Sequence, residues 1–232
     1  MEDRDIYITI MADETAKKYL ETDNYKRLYR YLKQKDSSIT FGELTTFLRN
    51  ADIDIFAAGV VPLEAFKGDK SLTEFNFSKI KAIEASAFEG SGIRQVKLTN
   101  QQTVGQAAFK DSAVEEVYLG NGVSVGSGAF ARCKNLRELY LPGGVKVEPL
   151  AFASCRNLEE VVLDDGRTDW PEDVFANVKH IDYVTVPEQF RMTMFDFDIQ
   201  IDVLYINGPR ETTNEQMLRR GFPGIKEIEF LK

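Results

Sequence analysis

Apolar positions recur along this chain with a period far longer than that of a helix or a strand. A Phe preceded by a small or apolar residue stands at Phe66, Phe88, Phe109, Phe130, Phe152 and Phe175, at intervals of 22, 21, 21, 22 and 23 residues. Five positions before each Phe are Val61, Ile83, Val104, Val125, Val147 and Trp170, and directly before it Ala65, Ala87, Ala108, Ala129, Ala151 and Val174. Five or six positions after it come Leu72, Ile93, Val114, Leu136, Leu158 and Ile181. Three further on lie the alternating pairs Phe75/Phe77, Val96/Leu98, Val117/Leu119, Leu139/Leu141, Val161/Leu163 and Val184/Val186. Alternation that short, closed by turn residues such as Gly120-Asn121-Gly122 or Pro142-Gly143-Gly144, predicts one half-buried strand per repeat. Fixed columns at this period predict a solenoid, whose core grows by stacking coils instead of closing a globule. In such a core the Ala column lets neighbouring coils approach, and Phe fills the space between the strand layer and an outer layer of turns or short helical segments.

Six clear copies span about 61–187, and weaker copies flank them. Phe190, Met194-Phe195, Ile201 and Leu204/Ile206 hold every column, Met217-Leu218, Ile225 and Ile228/Phe230 hold it loosely, and Ile39, Leu44 and Ile53/Ile55 fit upstream. Asn50 occupies a column that should be apolar. Atypical end copies are expected where a coil must present a soluble outer face. The solenoid is therefore placed at 39–232, with about nine short parallel strands, and residues 1–38 form an N-terminal attachment. There, Ile6, Ile8 and Ile10 alternate as in a strand, and a helix is expected from Asp13 to about Glu21. Asp23 is placed to cap a second helix with Tyr25, Leu28, Tyr29 and Leu32 on one face and Lys26, Arg27, Arg30 and Lys33 on a solvated one. Thr40 and Glu43 make a capping box for a short helix carrying Leu44, Phe47 and Leu48. The expectation is a cap over the first coil's apolar face and strand edge; a separate docking module is the alternative. Residues Asn214 to Arg220 are expected to form a helix sealing the far end.

The segment Val125-Gly-Ser-Gly-Ala129-Phe130-Ala-Arg-Cys133-Lys-Asn-Leu136-Arg-Glu-Leu139-Tyr-Leu141-Pro142 resembles the BspA-type (Treponema-type) leucine-rich repeat of bacterial surface proteins, and Val147 to Leu163 is almost as close. The resemblance covers roughly 39–232. It implies an α/β leucine-rich-repeat solenoid, a right-handed superhelix of short parallel strands with an α-helical N-terminal cap. For function it implies a binding surface, since members of this class are mostly adhesion or interaction proteins.

Charge and chemistry narrow the function by exclusion. A net charge of −8 supplies no basic stripe to displace counterions from a nucleic-acid backbone. Cys133 and Cys155 share one column, three after the Phe, with Asp69, Ser91, Ser112 and Val178, so they read as small buried filler in a stack; a disulfide between adjacent coils is the alternative. His180 is the single histidine and stands beside Ile181, without a Ser or Cys to activate. Asp164-Asp165-Gly166 with Asp169, and Asp196/Asp198 with Asp202, lack the oxygen spacing of a calcium loop and read as turns and solvated edges. No catalytic, metal or cofactor site is expected. No apolar stretch approaches the roughly 18 residues of a membrane span, and the first ten residues carry acids where a signal peptide has a basic region. With Met1 as the native start the chain is expected in the cytoplasm; otherwise the resemblance implies the cell surface or secretion.

What remains is the strand face. One outward column reads Asp54, Asn76, Lys97, Tyr118, Tyr140, Val162, Thr185, Tyr205 and Glu229, and the column beside it reads Asp52, Glu74, Gln95, Glu116, Glu138, Glu160, Tyr183, Val203 and Glu227. Parallel strands about 4.8 Å apart turn each column into a row of neighbours. Tyr118, Tyr140 and Val162 then form an aromatic-aliphatic stripe extended by Tyr183 and Tyr205, and Glu116, Glu138 and Glu160 form a carboxylate ladder. Like charges stacked this way repel, with Arg94 and Arg137 near enough to neutralise them. The expectation is a non-enzymatic scaffold that grips a protein partner with a basic and apolar surface through these eight residues. A structural or adhesive segment of a bacterial cell-surface protein is the alternative.

Overall fold

A computed structural model describes residues 10, 12–21, 25–36, 38–39, 42–44 and 48 of the N-terminal part, and residues 59–99, 101–164, 171, 173–188, 199–208 and 224–231 of the repeats. Among the described residues, the helices α1 (Glu14–Glu21) and α2 (Tyr25–Lys35) and further helical backbone at 42–44 precede twelve strands. Every strand pairing recorded is parallel and joins one coil to the next. The chain is a parallel-strand solenoid of about six turns with N-terminal helices.

Two sheets line the coil. The seven-stranded one comprises β3 (Gln95–Lys97), β5 (Glu116–Tyr118), β7 (Glu138–Leu141), β9 (Glu160–Leu163), β10 (His180–Pro187), β11 (Gln200–Asn207) and β12 (Ile225–Leu231), in that spatial order. These are the expected strands, with the inward residues Val96, Val117, Leu139, Val161, Val184 and Leu204 buried. Phe75 and Phe77 lie outside the sheet, and Ile53 and Ile55 fall outside the described residues, so seven of the about nine expected strands are seen among the described residues.

The second sheet corrects the expectation of an opposing layer made only of turns or helical segments. The aliphatic residue five before each Phe from Phe66 to Phe152 sits in a two-residue strand: β1 (Val60–Val61), β2 (Ala82–Ile83), β4 (Thr103–Val104), β6 (Ser124–Val125) and β8 (Lys146–Val147). Its side chain is buried, and the backbone around it bonds coil to coil, as in Glu84 N–H to Val61 O (2.9 Å) and Gly105 N–H to Ile83 O (2.8 Å). The turns joining the two sheets are laddered as well. Phe66, Phe88, Phe109 and Phe130 each donate their backbone N–H to the carbonyl of the Ala before the next Phe at 2.7, 2.7, 2.7 and 2.8 Å. A helix would satisfy these groups internally; a stack satisfies them with the next coil, as buried backbone requires.

Left-handed backbone brackets each Phe from Phe66 to Phe152 and follows Phe175. Positive φ occurs two residues before it (Glu64, Ser86, Ala107, Gly128, Leu150) and two after it (Gly68, Gly90, Asp111, Arg132, Ser154, Asn177). For a residue with a Cβ this conformation costs about 1–2 kcal/mol, and it persists because its N–H also donates to the next coil, as Arg132 N–H does to Ala153 O (2.8 Å). The paired reversals swing Phe inward. Consecutive rings from Phe66 to Phe175 stack with centroids 5.0 to 5.7 Å apart, Phe88, Phe109 and Phe130 within 2° of parallel. Parallel rings at these separations fall in the favourable range for aromatic pairs, and the spacing of successive coils sets it.

Cys133 and Cys155 are free, fully buried thiols. Each donates to a Phe carbonyl of the preceding coil, Cys133 to Phe109 O at 3.1 Å and Cys155 to Phe130 O at 3.2 Å, which fits the filler reading. Burial holds the Cys155 thiol well above its usual range, so it stays protonated and inert.

Asp13 opens α1 by accepting the N–H groups of Thr15 (2.9 Å) and Ala16 (3.0 Å), the geometry of an N-cap. The Tyr31 hydroxyl (2.9 Å) and the Lys35 ammonium, both from α2, donate to the same carboxylate, tying the two helices together. Lys35 and the amide bond from Ala16 hold the Asp13 carboxyl below the ordinary carboxylate range. Leu28, Leu32, Ile39, Leu44 and Leu48 are buried in one hydrophobic cluster with the coil residues. Of the strand expected at Ile6–Ile10, only Ile10 is described, and it is buried in helical backbone. The Asp23 cap, the Thr40 side of the capping box, Phe47, Asn50, Trp170, Asp196/Asp198 and the expected 214–220 helix lie outside the described residues.

Candidate protein-binding face

Each repeat enters the seven-stranded sheet with two successive outward residues before the inward Val or Leu. One carbonyl captures two consecutive N–H groups there: Arg94 O takes Glu115 (2.7 Å) and Glu116 (3.2 Å), and Arg137 O takes Glu159 and Glu160 (both 2.9 Å). Alternation is broken locally, as at a bulge, and the face carries three outward columns instead of the two read from the sequence.

Two columns are the expected ones, in register. Glu116 pairs with Glu138, Glu138 with Glu160, Glu160 with Tyr183 and Tyr183 with Val203; Tyr118 pairs with Tyr140, Tyr140 with Val162, Val162 with Thr185 and Thr185 with Tyr205. The eight expected residues therefore share one surface. The tyrosines differ in environment. Tyr118 donates its hydroxyl to Glu138 Oε2 at 2.6 Å, Tyr140 reaches Asp164 at 3.3 Å, and Lys97 Nζ sits 5.3 Å from the Tyr118 ring centroid. Tyr183 and Tyr205 stack on each other at 6.2 Å.

The ladder is relieved in an unexpected way. Arg94 approaches Glu115 at 3.9 Å, in the neighbouring column, and Arg137 forms no ion pair among the described residues. Gln95 donates to Glu116 and Tyr118 to Glu138, while Glu160 stays exposed. The Glu138 bond, reinforced by burial, lifts the Tyr118 hydroxyl to about 12. A group raised on folding contributes stability below its unfolded pKa near 10 and loses it as pH climbs to the folded value. Ultraviolet titration should therefore show one phenol ionising near pH 12, and Glu138→Gln should return it toward 10; an unchanged titration in the variant would separate the shift from this bond.

The third column, absent from the sequence reading, runs Arg94, Glu115, Arg137, Glu159, Asp182, Asp202 and Lys226. It borders two open grooves of about 520 and 810 Å³ that share Glu115, the first lined by Arg137, Arg156, Glu159 and His180, the second by Phe75, Arg94 and Glu116. His180 Nε2 lies 2.9 Å from Asp202 and Nδ1 3.3 Å from Asp182, and Lys226 Nζ lies 2.5 Å from Asp202. Lys226 and then His180 hold the Asp202 carboxyl low. Metal-ligand residue types thus meet here, with donor atoms within 4.8 Å of one another. Lys226 already neutralises the carboxylate a cation would need, so the arrangement is that of an exposed ion-pair network. The only sequence sign of it was the doubled outward position in each Leu-x-x-Val.

A parallel-strand solenoid whose buried columns repeat from coil to coil defines a repeat scaffold, which presents its outward side chains at regular spacing. The chain belongs to the family described as BspA type Leucine rich repeat region, which it matches in six copies across residues 60–182. The family is one of repeat scaffolds, not typically enzymatic, and the fold fits protein binding. No curated protein and no solved structure matches the chain. No described helix is long and apolar enough to cross a membrane.

Proposed function

We propose that this chain is a non-enzymatic scaffold that recognises a protein partner through the exposed face of the seven-stranded sheet. The observation that carries the reading is the register: tyrosines and carboxylates from successive coils align into adjacent rows, Tyr118–Tyr140–Val162 beside Glu116–Glu138–Glu160. Aromatic anchors beside charged groups are how interfaces concentrate binding energy. A partner with apolar groups for the tyrosines and Lys or Arg for the glutamates complements the surface. The N-terminal helices serve this scaffold as its cap: Gly42 lies against Phe66 and Asp69 of the first coil, and Tyr29 of α2 feels the charge of Glu64.

The test is capture from a lysate of the native cell or its host by the full chain, compared with Tyr118→Ala/Tyr140→Ala. Capture should fall about tenfold or more, while each lost hydroxyl bond costs about 1 kcal/mol of stability. Equal capture by both proteins would sink the reading and favour the structural or adhesive segment, whose role would not depend on these side chains.

A further inference from the structure

The strand face is not uniform along the solenoid. Strands of two to four residues give way to eight in β10, eight in β11 and seven in β12, so the outward surface is widest at this end. Tyr183, 45% exposed, stacks there on Tyr205. The register sets Glu160 beside Tyr183, Glu229 beside Tyr205, and Glu227 beside Val203 between them. All three carboxylates are exposed, and none has an ion pair among the described residues. His180 and Lys226 of the same strands turn to Asp182 and Asp202 instead. Neither Tyr183 nor Tyr205 has a hydroxyl hydrogen bond among the described residues, in contrast to Tyr118 and Tyr140.

The molecule contains its own example of what such a platform accepts. Three coils earlier on the face, the Lys97 ammonium lies over the Tyr118 ring, whose hydroxyl donates to Glu138, so the same sheet already holds a cation over a π-face in a row of carboxylates. At Tyr205 the register position that Lys97 takes beside Tyr118 is held by Thr185, a neutral residue. Rings and carboxylates are repeated while the cation is not.

We propose that the Tyr183–Tyr205 platform, with Glu160, Glu227 and Glu229, is the subsite that receives a lysine or arginine side chain from a basic segment of the partner protein, a proposal that rests on the strand-face reading above. The aliphatic stem packs on Val203 and the rings, and the charged head lies over a π-face within reach of the carboxylates.

The probe is a fluorescently labelled peptide alternating arginine and leucine, titrated into the full chain, with a citrulline-for-arginine peptide as its neutral isostere. Citrulline, Tyr183→Ala/Tyr205→Ala and Glu160→Gln/Glu227→Gln/Glu229→Gln should each weaken binding about tenfold or more, whereas Tyr183→Phe/Tyr205→Phe should stay within about threefold of the parent. The Phe pair keeps the π-faces and the packing, so it separates recognition from loss of fold. Diffuse attraction to an acidic protein would follow the glutamates and ignore the rings; parental binding by the Ala pair, or no binding of the arginine peptide at all, overturns the proposal. Loss caused instead by Tyr118→Ala/Tyr140→Ala would overturn this subsite and leave the strand-face reading standing.

Discussion

Phe109→Ala is expected to destabilise the chain by about 4 kcal/mol, within the range for emptying a large buried aromatic position. Phe109 is fully buried between Phe88 and Phe130, with both neighbouring centroids at 5.0 Å, and also meets Phe77 edge-on. Its loss leaves a gap in the middle of a one-dimensional stack, where each coil is stabilised mainly by its neighbours. The backbone around it cannot close the gap, because the N–H of Phe109 is bonded to Ala129 O at 2.7 Å and that of Phe88 to Ala108 O at 2.7 Å. Chemical denaturation should show the loss as a fall in midpoint, and it should split the transition as the two halves uncouple. A loss below about 1 kcal/mol would mean that the stack collapses onto the vacated space, and the rigid-ladder account would then be wrong.

Gly105→Ala should follow it in size, at about 3 kcal/mol, the upper part of the usual cost of overpacking. A Cβ at Gly105 would meet three backbone atoms of the preceding coil: Ala85 N at 2.7 Å, Glu84 C at 2.8 Å and Ile83 O at 2.9 Å. No side-chain rotation relieves such contacts, so β2 and β4 must part. Gly68→Ala is the comparison. Its Cβ would meet nothing within 4 Å, and only its φ of +76° resists the change. That column already holds Asp111, Arg132, Ser154 and Asn177, so the cost there should stay near 1 kcal/mol. Thermal melts of the two variants separate close approach from backbone conformation; equal losses would contradict the distinction.

Fold was legible in the sequence because every inward column repeats. Val61, Ala65, Phe66, Leu72 and their successors recur at the coil period, and burial selects for that recurrence in each turn independently. The second sheet was not legible, since two residues such as Thr103–Val104 carry no alternation to detect. Its strands exist only because the neighbouring coil supplies the bonding partner. Among site residues, Tyr118, Tyr140, Val162, Tyr183 and Tyr205 could be assigned to an outward column by counting. Their different hydroxyl partners could not, because Glu138 and Asp164 lie 20 and 24 residues away and reach the phenols only across the stack. For the same reason Arg94 and Arg137, close to the glutamates in sequence, proved the wrong partners for them.

The sequence by itself determined the period, the stacking of Phe, the burial of the two cysteines and the residues of two outward columns. Each of these follows from which side chains tolerate water, a property every residue carries alone. Only the tertiary structure decided which coil lies at which register over the next. That register sets the carboxylates around Tyr183 and Tyr205, gives Tyr118 its bond to Glu138, and adds a third outward column ending in Asp202 and Lys226. Hydrophobic burial is non-directional and shows in composition; hydrogen bonds and charge pairs depend on distance and angle, and those distances exist only once the coils are stacked.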